Sequence, residues 1–200
     1  MNRFYLYGAS GHGKVVAEIA ELTGLDISGF IDDNHEITEL ISYPVAHQLP
    51  SKPISLLLSI GNNRTRKKIA QSLTQVSYKS LIHPRAIVSR HALLKEGSVV
   101  MGGVTINAGS NIGKHCIINT NASIDHDCVI EDYVHISPNA ALAGDVKVGE
   151  GSQIGIGACV IQSVKIGAWC TIGAGAVIIK DVPDGTTVVG NPGRAIKRKP

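Results

Sequence analysis

No stretch of the chain is apolar for the length that a membrane-spanning helix needs, and no signal peptide is read, since Met1 leads straight into the strand-like Phe4 to Tyr7. The cytoplasm is the expected compartment. Charge of one sign is equally scarce: a net charge of +3 is too weak and too scattered for a nucleic-acid surface. The basic tail, Lys197, Arg198 and Lys199, reads as a solvated end. Cysteine is sparse too, at 4 residues, and none of Cys116, Cys128, Cys159 and Cys170 has zinc-ligand spacing. They are expected to be small core residues, and no metal is expected. With 44% hydrophobic and 18% charged residues, the chain has material for one large or two small domains.

What is present is a repeat. From Ile106 to Ile178 an aliphatic residue returns at every sixth position, through Ile112, Ile118, Ile124, Ile130 and onward without a break. Four places after each of these, up to Ala176, sits a small residue or Val, as at Ser110, Cys116 and Ala122. A six-residue period suits neither an α-helix nor a hairpin. It suits a prism of short parallel strands, three hexapeptides to a coil, whose inward aliphatics stack into one continuous core. The phase at Ile87, Leu93 and Val99 differs by one residue from that at Ile106, which predicts a bulged corner between Met101 and Val104 and about five coils between Ala86 and Asp181.

Before the repeat, Arg3 to Tyr7 reads as a buried strand, Gly8-Ala9-Ser10-Gly11-His12-Gly13 as a turn, and Lys14 to Leu22 as an amphipathic helix. Glycines there let a backbone approach a ligand while helix-start amides face an anion, which is the layout of a phosphate cradle. The glycines depart from the dinucleotide fingerprint, and a bare strand-to-helix turn explains them as well. A second strand, Ile27 to Ile31, ends in Asp32-Asp33, where a nucleotide fold places the acid that binds a ribose. After loops at Pro44 and Pro50, a third strand, Ile54 to Ile60, stops at Gly61-Asn62-Asn63, and Arg64 to Leu73 reads as helix. The result is one mononucleotide-binding half, β-α-β-loop-β-α-β, without the second half a nicotinamide requires. His83-Pro84 marks the boundary, giving an α/β Rossmann-like domain over 1–83, a parallel β-helix over 84–181 and an extended strap over 182–200 with room for a short final helix.

Taken together, Tyr7-Gly8-Ala9-Ser10-Gly11-His12-Gly13, Phe30-Ile31-Asp32-Asp33, Ile60-Gly61-Asn62-Asn63, Arg66-Lys67-Lys68-Ile69 and Asp125-His126-Asp127-Cys128-Val129-Ile130 resemble one family over nearly the whole chain. It is that of the left-handed β-helix (hexapeptide repeat) acyltransferases, and within it the bacterial UDP-4-amino-sugar N-acetyltransferases of the bacillosamine pathway type. Sialic-acid O-acetyltransferases look similar in the same places. The resemblance implies a left-handed coil, a homotrimer with active sites between subunits, and acetyl-CoA as cosubstrate. It implies a UDP-4-amino-4,6-dideoxy sugar as acceptor, held by Ser10, Gly11, His12, Asp32, Asp33 and Gly61, with acetyl-CoA touching His135, Ile156 and Ala174. Relatives often carry Gly where Ala174 stands.

The chemistry can be argued beside that. Acetyl transfer to an amine needs a base for the amine proton and a donor for the oxyanion. His126 lies two places after core Ile124, on an outward corner, between Asp125 and Asp127, and a neighbouring carboxylate orients an imidazole and raises its basicity. An exposed histidine beside acids is also common as plain surface; resemblance to the family's base favours catalysis, with Asp127 standing where relatives often carry Glu. An eighteen-residue coil stacks Gly144 on His126, leaving space and an amide beside the ring. In the family that position donates to the thioester carbonyl. Asn119 is a candidate for positioning the amine, though a corner asparagine also serves structure. His135 is half a coil from His126, so within one prism the two should lie on opposite sides. An O-acetyltransferase of sialic acid or another glycan precursor, and a non-catalytic nucleotide-sugar-binding β-helix, are the alternatives.

Overall fold

The computed structural model describes residues 3–50, 53–73 and 75–198. Lys199, and the side chains of Lys197 and Arg198, lie outside what is described, so the basic run at the end of the chain is not characterised.

The first strand, β1 (Arg3–Tyr7), pairs in parallel with β2 (Ile27–Ile31) on one side and with β5 (Ile54–Leu58) on the other. All of β5 is buried, as a strand covered on both faces requires. Helix α1 (Gly11–Leu22) joins β1 to β2, and α2 (Asn63–Ser72) follows β5. Asn62 caps α2 by accepting a 3.0 Å hydrogen bond from the Thr65 amide.

Two local expectations are corrected. Helix α1 begins at Gly11, three residues before Lys14, because Ser10 with its extended backbone already occupies the cap position. His12 therefore sits in the first helical turn. Gly13 serves packing, since a Cβ there would lie 2.5 Å from the Gly8 carbonyl oxygen. The stretch after Asp33 is no plain loop either: β3 (Glu39–Leu40) and β4 (Tyr43–Ala46) form a hairpin, and β4 pairs in parallel with β2. With β6 (Ser77–Tyr78), the sheet runs β3-β4-β2-β1-β5-β6.

The remainder is a left-handed parallel β-helix with three faces. The first runs from Leu81–Ile82 to Thr171–Ile172, the second from Ile87–Val88 to Val177–Ile178, and the third from Leu93–Leu94 to Lys165–Ile166. Each strand has two residues, one outward and one inward. Inward Val100, Ile106, Ile112, Ile118 and their successors form one buried column cluster with the small residues Cys116, Ala122 and Cys128. Burying each such aliphatic contributes about 1.5–3 kcal/mol, so the repeat holds itself together coil by coil. Corners turn on residues in the left-handed region, such as Asn121 (φ 57) and Asp127 (φ 60).

The predicted bulge between Met101 and Val104 does not exist. Thr105 pairs with Ile87 and Ile106 with Val88, so the six-residue register is unbroken from Leu81. The inward residues of the first coil are Val88 and Leu94, while Ile87 and Leu93 point outward and are exposed. Both positions of those strands are apolar, so hydrophobicity alone does not tell the inward residue from the outward one. Cys159 is likewise an outward residue and exposed, whereas Cys116, Cys128 and Cys170 are buried.

The first face carries the α/β domain. Its outward residues Leu81, Val99 and Ile117 join Val16, Ile19 and Ala20 of α1 in a second hydrophobic cluster. The next outward residue along this face is His135, followed by Gln153 and Thr171. The outward column thus changes from apolar to polar at His135. After the last coil, Thr186–Val189 extends the first face in parallel and Arg194–Arg198 returns antiparallel; among the described residues no helix follows.

Candidate active site

The corner between Ser123–Ile124 and Val129–Ile130 joins the second face to the third, and His126 stands on it. Asp127 adopts a left-handed backbone that turns its carboxylate back, and Oδ2 accepts a 2.8 Å hydrogen bond from His126 Nδ1. A carboxylate only accepts, so Nδ1 carries the proton and Nε2 is the open nitrogen of the neutral ring. Asp125 does not reach the ring. Its Oδ1 accepts from the His126 amide and from Asn107 Nδ2, each at 2.8 Å, and so builds the corner. The bond from Asp127, then the negative charge of Asp125, raise the His126 pKa above the ordinary imidazole value.

A Cβ on Gly144 would lie 2.6 Å from both Cε1 and Nε2 of His126, so the ring lies over this glycine and any side chain there would collide with it. The Gly144 carbonyl takes the Ser163 amide at 2.9 Å, while its own N–H has no acceptor among the described residues. Gly109, one coil earlier, seats Asp127 in the same way, since its Cβ would lie 2.3 Å from Oδ1. Sequence reading missed Gly109, although the same count of eighteen that pairs His126 with Gly144 finds it.

On the other side of the prism, at the edge of the α/β domain, Asn119 Nδ2 donates to His135 Nε2 at 3.0 Å. The Asn119 Oδ1 is occupied by the Thr120 amide at 2.8 Å, which fixes the direction of that bond. Burial, then the charge of Arg66, push the His135 pKa down to about 3 and that of His12 to about 4. Both are neutral at physiological pH, and His12 Nε2 is buried without a hydrogen-bond partner among the described residues. Ile156 and Ala174 stack on a corner of the first face, where the Ile156 carbonyl accepts from Gly175 N–H at 2.8 Å; Ile156 is exposed.

The nucleotide-loop residues cluster at the carboxyl ends of β1, β2 and β5. Asp32 uses both oxygens on backbone, accepting from Ala9 N–H at 2.7 Å and from Asn34 N–H at 2.9 Å. It thus ties the end of β2 to the glycine turn, while Asp33 accepts the Tyr7 hydroxyl at 2.8 Å. Ser10 makes no side-chain capping bond. A Cβ on Gly11 or on Gly61 would meet nothing within 4 Å, so no packing inside the chain demands glycine at either place.

Arg66 joins this loop to the prism. Its guanidinium is fully buried and donates to the carbonyls of Ile60 (2.8 Å) and Gly61 (3.2 Å), to those of His115 (2.8 Å) and Tyr133 (2.9 Å) one coil apart, and to Asn63 Oδ1 (2.9 Å). Among the described residues no carboxylate pairs with it, and burial lowers its pKa to about 10. The sequence placed Arg66 in a motif without showing this role, since nothing in a helical pattern reveals carbonyls brought by another domain. Arg66→Met strands those buried carbonyls, and we expect chemical denaturation to show a loss of about 3 kcal/mol in unfolding free energy. Among the described residues no group of three or more metal-ligating side chains converges.

Residues 3–73 match the PglD N-terminal domain, and residues 109–144 and 145–180 each match the bacterial transferase hexapeptide (six repeats). The chain is 32% identical to GDP-perosamine N-acetyltransferase of Escherichia coli O157:H7, over 100% of its own length and 99% of the relative's. It is 39% identical to UDP-N-acetylbacillosamine N-acetyltransferase of Bacillus subtilis over 50% of its own length and 52% of the relative's. Among solved structures, a variant of perosamine N-acetyltransferase from Caulobacter crescentus with CoA and GDP-perosamine superposes with a TM-score of 0.92 at 36% identity, covering 98% of both chains. The acetyltransferase domain of PglB from Neisseria gonorrhoeae, with acetyl coenzyme A, superposes with a TM-score of 0.91 at 40% identity, over 98% of this chain and 100% of that one. A fold of this composition, matched end to end at that identity, makes the chain an acetyl-CoA-dependent acetyltransferase, a member of the hexapeptide-repeat sugar N-acetyltransferases with a PglD-type N-terminal domain.

Proposed function

We propose that the chain moves the acetyl group of acetyl-CoA onto the amine of a UDP-4-amino-4,6-dideoxy sugar in the cytoplasm, for bacterial glycan or glycoprotein precursors, with His126 as general base. The observation that carries the chemistry is a single one: Asp127 holds His126 Nδ1, leaving Nε2 open above Gly144. As the amine attacks the thioester carbon, a C–N bond forms and the amine proton passes to Nε2; the carbonyl oxygen takes the negative charge, facing the Gly144 N–H. Collapse breaks the C–S bond, and the proton held on His126 goes to the departing thiolate. A GDP-linked amino sugar is the second reading, favoured by end-to-end similarity to the GDP-perosamine enzyme of Escherichia coli.

The base stands on the corner opposite the face that carries the α/β domain. One chain cannot therefore bring its own nucleotide loop to its own His126, and a closed ring of three copies solves this by lending each loop to a neighbour's base. Ser10, Gly11, His12, Asp32, Asp33 and Gly61 are assigned to the nucleotide sugar, His135, Ile156 and Ala174 to acetyl-CoA, and Asn119 to positioning the amine.

The test is thiol release from acetyl-CoA in the presence of UDP-linked and GDP-linked amino sugars, free sialic acid and CMP-sialic acid. Turnover confined to hydroxyl acceptors sinks the N-acetyltransfer reading in favour of O-acetylation, and none at all favours the binding protein. Gly11→Leu tests the division into two sites. Because a side chain at 11 meets nothing in the fold, and leucine favours helix over glycine, the variant stays folded. The KM of the sugar should rise at least about tenfold while that of acetyl-CoA holds. Equal rises in both would refute the division.

A further inference from the structure

Two histidines outside the assigned set close the edge of the nucleotide loop. His47 directly follows β4, and His35 lies just past the end of β2. Their rings stack with centroids 4.4 Å apart and planes 32° from parallel. His47 Nδ1 is 3.0 Å from the Asp32 carbonyl oxygen. A carbonyl only accepts, so Nδ1 carries the proton, and the neutral ring presents Nε2 as an acceptor with no partner among the described residues. His35 is exposed and His47 half-buried, so the pair is open on one side.

The sheet order fixes what would meet this pair. In a mononucleotide-binding half the phosphates lie at the start of α1 after β1, the ribose at the acid after β2, and the base beyond it. The strand beyond β2 here is β4. The sugar end then points the other way, toward β5 and Gly61, which Arg66 ties to the prism. We infer, on the nucleotide-sugar reading above, that His47 and His35 form the nucleobase platform, His35 by stacking and His47 by accepting a ring N–H through Nε2. Such a site selects bases with a ring N–H donor, the N3–H of uracil or the N1–H of guanine. Cytosine N3 and adenine N1 carry lone pairs at those places and meet Nε2 lone pair to lone pair.

Calorimetric titration of the full chain with UDP, GDP, CDP and ADP tests this. The unaltered protein should bind UDP or GDP at least about tenfold tighter than CDP and ADP, and the tighter of the first two identifies the base. His47→Asn keeps a donor for the Asp32 carbonyl but lacks Nε2, and should shrink that preference below about threefold. His47→Gln returns an acceptor near the Nε2 position and should retain it. His35→Ala should weaken all four ligands by about tenfold alike, because stacking is indifferent to the base edge. If the unaltered protein binds all four equally, or if His47→Asn keeps the preference, or if His47→Gln loses it, the platform is wrong while the nucleotide-sugar reading stands. If no nucleoside diphosphate binds at millimolar concentration, the nucleotide-sugar reading falls and the platform with it.

Discussion

His126→Ala should lower kcat for acetyl transfer about a thousandfold, within the range general-base removal produces, while the KM of acetyl-CoA stays within about twofold. The effect should be confined to catalysis. The side chain is 61% exposed, and the corner is held by backbone instead: Asp127 N–H donates to Ala108 O at 3.1 Å and Asp145 N–H to His126 O at 2.9 Å. A thermal melt unchanged from the parent protein therefore accompanies the loss, and a rate within tenfold of the parent at pH 8 would remove His126 from the mechanism.

The pH profile supplies an independent reading of the same group. The Asp127 carboxylate stabilises the imidazolium, so the His126 pKa is raised, and the neutral base disappears as pH falls through that raised value. The acid limb of kcat/KM should lie above the ordinary imidazole pKa of about 6.5 and move down in Asp127→Asn. His12 and His135, pushed to about 4 and about 3, do not titrate in that window. Of the histidines assigned to the site, only His126 can produce the limb, and an unmoved limb in Asp127→Asn would assign it elsewhere.

How much of this was legible in the residues depends on whether the governing geometry is periodic. Stacking at i+18 is a property of the coil, so Gly144 under His126 could be counted from the sequence, and Gly109 under Asp127 by the same count. The phase of the first coil is ambiguous in the sequence because Ile87-Val88 and Leu93-Leu94 are apolar at both positions, and the pairing with Thr105-Ile106 and Asn111-Ile112 decides which residue is inward. Contacts between the two folding units left no periodic trace. Arg66 donates to Tyr133, and Asn63 Nδ2 donates to the Gly151 carbonyl at 3.0 Å, across separations no local pattern encodes. The β3-β4 hairpin was hidden for a local reason: Ile41 and Ser42 turn it with φ of 43° and 68°, values that residues of those types rarely adopt.

Mixing His126→Ala with His135→Ala subunits should restore activity that neither variant has alone. His135 lies on the first face beside the α/β domain, and His126 stands on the corner between the other two, so one prism cannot aim both at the same acetyl group. If each reaction centre takes His126 from one subunit and His135 from the next, a centre is intact where a His135→Ala chain supplies the base and a His126→Ala chain supplies His135. With equal, random assembly into closed trimers, half the chains qualify for each role, so about a quarter of the interfaces are complete. The mixture should recover roughly a quarter of the parent rate from parents each reduced at least about a hundredfold. Recovery must wait for unfolding and reassembly, since intact assemblies mixed without exchange contain no complete interface. The two substitutions leave chains of equal mass, so one variant is labelled with nitrogen-15, and native mass spectrometry of the reassembled sample then separates the outcomes: mixed assemblies present with a rate no higher than the average of the two parents would mean that each site is built within one chain or that His135 takes no part.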